Sequence, residues 1–283
     1  MTTTLLMKKM STPLIEIRNA LRSDGWILLR DEDYSLESFS ELMLALCKKL
    51  TFDPARQYAS RQTQSVDAGT VAVGLHIENG NTPLPPDVVA FHSALSASRG
   101  GRTTVCDGAV VYQGVPKDLQ EKFTQSMTSS RYLPKALWQR YVANAFDVDD
   151  PEQVTRSDLD RLLNAIPGQQ AEDADDGGVI YQMRFDPVRN DNLSNIPAFA
   201  NAILGPSYNY QTPEYRFSDG TILTKDLIQE VAELCEKFTQ EIAWQNGDVA
   251  IIDNKRVMHG RREILVPLSE RKLYIGMGLG LND

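Results

Sequence analysis

A mainly β sandwich or barrel with α-helical flanks is the fold class this sequence predicts, on three observations. From Thr70 onward the chain breaks into short β-prone pieces, "TVAVGLHI", "DVVAFHSAL" and "RTTVCDG", separated by Asn, Pro and Gly turns. Helical spacing dominates the stretch before them, and two further strand patterns, "GDVAIID" and "RKLYIGMGL", close the chain. The 283 residues, 42% hydrophobic and 24% charged, carry enough apolar material for a sizeable core. Length alone admits one large domain or two compact ones.

Taken in order, "TPLIEIRNALRS" has apolar residues at helical spacing and "GWILLR" reads as a short strand. The segment "SFSELMLALCKKL" predicts a second helix, with Ser38 as its N-cap and Glu41 three residues on. After the central strands, residues 113–166 return to helical patterns, with a capping box from Thr155 to Asp158 ahead of Leu159, Leu162, Leu163 and Ile166. The stretch from about 113 to 180 therefore predicts an insertion between strands, within a single domain of residues 1–283. Near its end, "GQQAEDADDGG" (168–178) is acidic and turn-rich, which predicts a mobile surface loop, a lid over a pocket being one use for it. Thr224 caps a helix with Leu227, Val231, Leu234, Cys235, Phe238 and Ile242 on one face. Between the closing strands, "NKRVMHGRREILVPLSE" is turn-rich; no internal repeat and no linker interrupts the chain.

The formal net charge of −9 offers no broad basic surface to nucleic acid or to an anionic membrane, so both are disfavoured as partners. Cys47, Cys106 and Cys235 are odd in number, scattered and without Cys-x-x-Cys spacing, which argues against a disulfide framework or a thiolate zinc site and points to a reducing, cytoplasmic setting. The start, "MTTTLLMKKMSTPL", has no sustained apolar region, and no run reaches the roughly 18 apolar residues of a membrane span. The expectation is a soluble protein that is not exported. Its oligomeric state is not legible in the chain.

Chemistry enters with "GLHIEN", which sets His76 and Glu78 two residues apart. With three histidines and 38 acidic residues, about 0.4 such pairs arise by chance, so His-x-Glu alone is weak. On an extended strand, however, residues i and i+2 face the same way, and both could reach one ion. A non-haem Fe(II) site that activates O₂ needs two imidazoles and one carboxylate with positions left open. His92 sits in an apolar strand pattern and reads as a core histidine, whereas His259 lies at a strand end and turn before "GRRE".

Four segments then resemble the Fe(II)/2-oxoglutarate-dependent oxygenases related to taurine dioxygenase, in their clavaminate synthase-like branch. They are "LHIEN" (75–79), "GGRTTVCDG" (100–108), "RFSDGTIL" (216–223) and "WQNGDVAIIDNKRVMHGRREILVPLSERKLYIGMG" (244–278), in the family's order. The resemblance covers roughly residues 70–115 and 210–280, and the combination is specific where each piece is not. It implies a double-stranded β-helix, or jelly-roll, core and the cofactors Fe(II), 2-oxoglutarate and O₂. It implies His76, Glu78 and His259 as catalytic metal ligands, and Arg271 with Thr103 as the seat of the 2-oxoglutarate distal carboxylate. Arginine suits that carboxylate because its guanidinium forms two parallel charge-assisted hydrogen bonds; Arg261 and Arg262 compete with Arg271 for the role. Asp107, Asp248, Asp253 and Asn254 read as turn-fixing residues around the site, and Trp138 as core.

The activity so implied is hydroxylation of an unactivated C–H bond in a small polar substrate, such as an amino acid or derivative, free or bound to a carrier protein, in specialised metabolism. Desaturation or cyclisation by the same family remains open. The glutamate argues against halogenation, because the related halogenases carry a small residue there. The opposing readings are a jelly-roll protein that binds a metal or ligand without turnover, and a structural protein whose histidines are core.

Overall fold

The computed structural model describes residues 12–30, 33–53, 56–206 and 211–282. Most of the N-terminal segment read above, "MTTTLLMKKMS", lies outside them. In chain order the first elements are α1 (Leu14–Asp24), β1 (Trp26–Leu29), α2 (Leu36–Leu46), β2 (Cys47–Thr51) and β3 (Gln64–Ser65). Next come β4 (Val73–His76), β5 (Val88–Leu95), β6 (Thr103–Asp107), α3 (Gly108–Gly114) and α4 (Lys117–Phe123). A middle region follows with β7 (Met127–Leu133), α5 (Lys135–Ala145), α6 (Arg156–Asn164), β8 (Gln169–Asp173) and β9 (Val179–Phe185). The last part holds β10 (Val188–Asn190), β11 (Pro197–Phe199), β12 (Glu214–Phe217) and α7 (Lys225–Glu236). Strands β13 (Thr239–Ile242), β14 (Val249–Asp253), β15 (Val257–Arg261) and β16 (Lys272–Leu281) finish it.

Strands β5 and β14 read as unbroken apolar runs because both of their faces are buried. Val88, Ala90, Val249 and Ile251 face the helical side, where Ile17 and Leu21 of α1 and Phe39, Leu42 and Met43 of α2 cover them. Val89, Phe91, Ala250 and Ile252 face inward, toward Val105, Val257, Leu273, Ile275 and Met277. Each such fully buried Val or Ile side chain stabilises the fold by roughly 1.5–3 kcal/mol. The outer sheet runs β1-β14-β5-β16-β2, with β3 also on β16, and the inner sheet runs β13-β6-β15-β4. The two enclose the inward core as a jelly roll, the predicted class. Helix α7 and Phe199 cover the far face of the inner sheet through Cys106 and Met258. Among the described residues no helix is long and apolar enough to cross a membrane, and the three cysteines are buried and free.

Strands β7, β8 and β9, from the stretch expected as an insertion and running on to Phe185, make a separate sheet with β12, which comes from beyond that stretch; the order is β12-β7-β9-β8. Helices α5 and α6 pack on it through Trp138, Val142, Leu159 and Leu163 against Leu133, Val179 and Tyr181. The Thr155–Asp158 capping box forms as predicted.

Four local expectations are corrected. Ser35, not Ser38, caps α2: Ser38 N donates to Ser35 Oγ at 3.2 Å and Ser35 N to Ser38 Oγ at 2.9 Å, a serine taking the place of the box's acid. The "CKKL" end of that helix is instead strand β2, because pairing with β16 from Thr51↔Met277 to Cys47↔Leu281 overrides local propensity. Residues 169–173 are not loop but the edge strand β8, paired with β9 from Gln169↔Met183 to Asp173↔Val179. Its polar composition, which reads as loop, is what an exposed sheet edge carries. Finally, α7 stops at Glu236, and Ile242 reaches the core from β13.

Candidate metal centre

Strand register brings the two histidines together. β4 pairs antiparallel with β15 so that His76 lies directly opposite His259, and the ring centroids are 4.5 Å apart across 183 positions of sequence (76 to 259). His259 is mid-strand, not at the turn the sequence suggested, since β15 pairs β6 as well, with Val105 opposite His259 and Thr103 opposite Arg261. Alternation along β15 puts Val257, His259 and Arg261 on the inward face, and along β6 it puts Thr103 and Val105 there. The edge of the Phe91 ring meets His259, centroids 5.1 Å apart. Two glycines permit this crowding. A Cβ at Gly260 would lie 2.6 Å from Val73 O, and one at Gly74 would lie 1.9 Å from Leu204 O.

The same alternation explains why His92 is not among them. It shares the helix-side face with Val88 and Ala90, stacks near Phe39 at 5.4 Å and is 1% exposed.

Glu78 does not share a strand with His76, because β4 ends at His76 and Glu78 opens a turn. The convergence expected from i,i+2 geometry is produced instead by Asn254, which is fully buried after β14. Glu78 N donates to Asn254 Oδ1 at 2.8 Å, and Asn254 Nδ2 donates to Glu78 O at 3.1 Å and to Pro86 O at 2.9 Å. Asn79 adopts φ 53°, a left-handed conformation that asparagine tolerates. The result is a buried carboxylate whose Oε2 is 3.4 Å from His259 Nε2. Its Oε1 accepts from Arg56 Nη2 at 2.9 Å. Burial pushes the Glu78 pKa up, but Arg56, then His259 and His76, outweigh it and hold the group well below the carboxylate range. Burial, and next His259, pull His76 down to about 4, so both donors are in their ligating forms near neutrality.

These three side chains could hold a divalent cation. One ligand atom from each lies within 4.8 Å of the others, where ligands about 2.1 Å from a shared ion sit up to roughly 4 Å apart. His76 Nδ1 is 2.8 Å from Gly74 O, which places the proton there and leaves Nε2 free. His259 Nδ1 is buried with no hydrogen-bond partner, so no carbonyl claims that ring. Two imidazoles and one carboxylate on a single face suit Fe(II) with open positions.

The three arginines separate cleanly. Arg262 turns outward and is ion-paired with Glu236 and Glu241, 40% of its side chain exposed. Arg261 Nη2 donates to the carbonyls of Ala68, Gly69 and Val71 at 3.1, 2.7 and 2.7 Å, and is occupied with that loop. Arg271 precedes Leu273, Ile275 and Met277 at the same parity, lines the cavity, and has no side-chain hydrogen bond or ion pair among the described residues. Burial, and then Arg261, bring its pKa down to about 10, leaving it cationic. Thr103 lines the same cavity, and its Oγ accepts from Trp244 Nε1 at 2.9 Å, which directs the hydroxyl proton elsewhere.

The cavity, about 1030 Å³, also takes in Arg56, Arg131 and Tyr141. The sequence assigns a role to none of the three. Arg131 and Tyr141 come from β7 and α5 of the insertion, where the resemblance is loose, and nothing in "FDPARQ" marks Arg56. The turn-fixing residues do as expected. Asp107 caps α3 through Ala109 N and pairs with Arg256 through both oxygens, and Asp248 pairs with Arg30.

Comparison with known proteins agrees with this geometry. Residues 11–275 match the model of the taurine catabolism dioxygenase TauD, TfdA family. A clavaminate synthase-like protein of Arabidopsis thaliana is 26% identical over 208 residues, 67% of this chain but only 61% of the plant protein's length. The dapdiamide synthesis protein DdaC of Enterobacter agglomerans is 23% identical over 283 residues, 88% of this chain and 80% of its own. The structure of a taurine dioxygenase from Burkholderia xenovorans superposes with a TM-score of 0.60 at 15% identity, covering 95% of this chain and 81% of that one. The chain therefore belongs to the taurine catabolism dioxygenase TauD, TfdA family, whose chemistry runs on Fe(II), 2-oxoglutarate and O₂.

Proposed function

We propose that His76, Glu78 and His259 hold Fe(II), that Arg271 and Thr103 seat 2-oxoglutarate, and that the protein hydroxylates an unactivated C–H bond of a small polar molecule. The observation that carries this reading is the meeting of three donors in one cavity with a half-buried arginine, Arg271, that has no hydrogen-bond or ion-pair partner among the described residues. When bound, iron with 2-oxoglutarate and O₂ supplies oxidative decarboxylation to succinate and CO₂ and the oxidising power to remove a substrate hydrogen. The chain's part is positioning. Arg271 receives the distal carboxylate on two N–H groups, strengthened by partial burial. Thr103 adds its hydroxyl proton to the same carboxylate. Arg261 holds residues 68–71 along the cavity rim and limits water entry.

An amino acid or derivative, free or carrier-bound, is the substrate class we infer, with a place in specialised metabolism. The cavity walls support it: Asp53, Asp67, Asn79, Asn81, Arg131 and Tyr141 offer charge and hydrogen bonds of both signs. So does the likeness to a protein named for dapdiamide synthesis. The chain acts on this reading as one cytoplasmic domain, residues 1–283, with the insertion as part of its substrate wall.

The test is anaerobic titration with Fe(II) and 2-oxoglutarate, which should raise a weak visible charge-transfer band. His259→Ala should abolish the band, and Arg271→Met should weaken 2-oxoglutarate binding about 100-fold, the loss of a charge-assisted pair worth roughly 3 kcal/mol. A folded wild-type protein that shows no band would refute the reading. Succinate production stimulated by one of a panel of amino acids would then identify the substrate.

A further inference from the structure

The two oxygens of Glu78 face different neighbours. Oε2 is 3.4 Å from His259 Nε2, on the side of the imidazoles, whereas Oε1 is 2.9 Å from Arg56 Nη2. Neither partner is loosely held. The Glu78 backbone is clamped by Asn254 on both its N–H and its carbonyl. The Arg56 backbone is held as well: its N–H donates to Asp53 O at 3.1 Å, and Gln64, 1% exposed, accepts from Asp53 N at 2.9 Å and donates to Asp53 O at 2.8 Å. Asp53 in turn lies 3.7 Å from Arg56 Nε, and Gln64 belongs to β3, which pairs with β16 at Ile275.

A carboxylate can bind a cation through one oxygen or two. Resting on the ligand assignment above, we propose that Arg56 is a positioning residue that keeps Glu78 a one-oxygen ligand. With Oε1 engaged by the guanidinium, the protein would supply three donor atoms, and a six-coordinate ion would keep three positions, enough for a keto acid and one further small ligand. Were Oε1 to join the metal, that last position would close.

The test uses the full chain loaded with Mn(II) and 2-oxoglutarate, and counts metal-bound water by the longitudinal relaxation of solvent protons. The wild type should retain one exchangeable water. Arg56→Leu should still bind Mn(II) and keep its circular dichroism while losing its relaxation enhancement almost entirely, and Arg56→Lys, which restores a cationic donor, should recover most of it. Arg56→Met provides a second neutral variant without a donor should the leucine chain fail to fold. An unchanged enhancement in either folded neutral variant overturns the proposal, as does a loss of Mn(II) binding in step with melting temperature, which would make Arg56 merely structural. A wild type that binds no Mn(II) would instead remove the ligand assignment itself.

Discussion

The inner sheet and the insertion sheet each have four strands, and they prepare a surface for the same cavity in opposite ways. In the inner sheet the polar groups are buried among apolar neighbours, and strand register decides where each one points. His76 faces His259 and Thr103 faces Arg261 because two ladders share β15. The insertion has a core of its own around Trp138, Val142, Leu159 and Tyr181, and it sends only Arg131 and Tyr141 into the cavity. A one-residue slip in the first region would turn His76, His259 and Thr103 to the wrong face. The second region can change its cavity-facing side chains without touching the donors. The difference teaches that the end of the cavity holding the two histidines is specified by backbone pairing, and the wall holding Arg131 and Tyr141 by a separately stabilised layer.

The largest expected effect that tests this separation is Trp138→Ala. The indole is 5% exposed and its Nε1 donates to Gly177 O at 3.1 Å, so truncation leaves a cavity and an unmatched carbonyl. The cost should be about 3–5 kcal/mol, confined to the insertion. Hydrogen exchange should show residues 127–185 opening while the amides of β6 and β15 stay protected, with the Fe(II) and 2-oxoglutarate band intact. Loss of protection in both sheets together would show that the two regions are one cooperative unit.

Much of the fold was legible because periodicity reports burial directly. The runs in β5 and β14 and the Thr155 box each follow from local pattern. The β2 and β8 segments were misread, because what makes "CKKLT" and "QQAED" extended is a partner strand far away in sequence, and nothing local encodes it. The site divides in the same manner. His76, Glu78, His259, Thr103 and Arg271 were named from motif residues, and all line one cavity. Arg56, Arg131 and Tyr141 were not, since their relevance depends on tertiary placement. Even for Glu78 the reason differs from the strand alternation first supposed: the turn and Asn254 aim it.

A smaller effect sharpens the comparison on the barrel side, where buried charge is costly. Asp253 is 2% exposed; Lys255 N donates to its Oδ1 at 2.9 Å, and Oδ2 has no partner. Burial, with Asp191 and Asp87 adding and Arg256 opposing, pushes its pKa up to about 7. A folded-state value above the unfolded carboxylate value of about 4 means that folding favours the protonated form. That contribution is fully present below about pH 4 and is lost as pH rises through about 7. Asp253→Asn keeps an oxygen for Lys255 N and removes the charge. It should therefore be more stable than wild type at pH 8 by roughly 2–4 kcal/mol, and nearly equal to it at pH 4. Urea unfolding of both proteins at the two pH values measures the difference, and equal gaps at both would show that Asp253 carries no such burden.

The smallest effect belongs to the insertion's own charges. Arg156 on α6 reaches Asp173 on β8 at 2.6 Å, pairs with Asp160, and donates to Ala171 O at 2.8 Å. The distance matches that of Arg256 to Asp107 in the barrel, also 2.6 Å. Exposure differs: the side chains of Asp173 and Asp160 are 70% and 55% exposed, against 7% for Arg256 and 17% for Asp107. Water already solvates the insertion carboxylates, so the pair gains little from direct contact. Removing Arg256 would strand a largely buried carboxylate at roughly 3–5 kcal/mol. Arg156→Met should therefore cost no more than about 1 kcal/mol, and the difference should vanish near 1 M salt, where charges are screened within about 3 Å. Melting curves of Arg156→Met and Arg256→Met at low and high salt separate the cases. An Arg156 effect as large as the Arg256 one, and insensitive to salt, would mean that the insertion is held by buried polar chemistry like the barrel's, and that the two regions are not built differently after all.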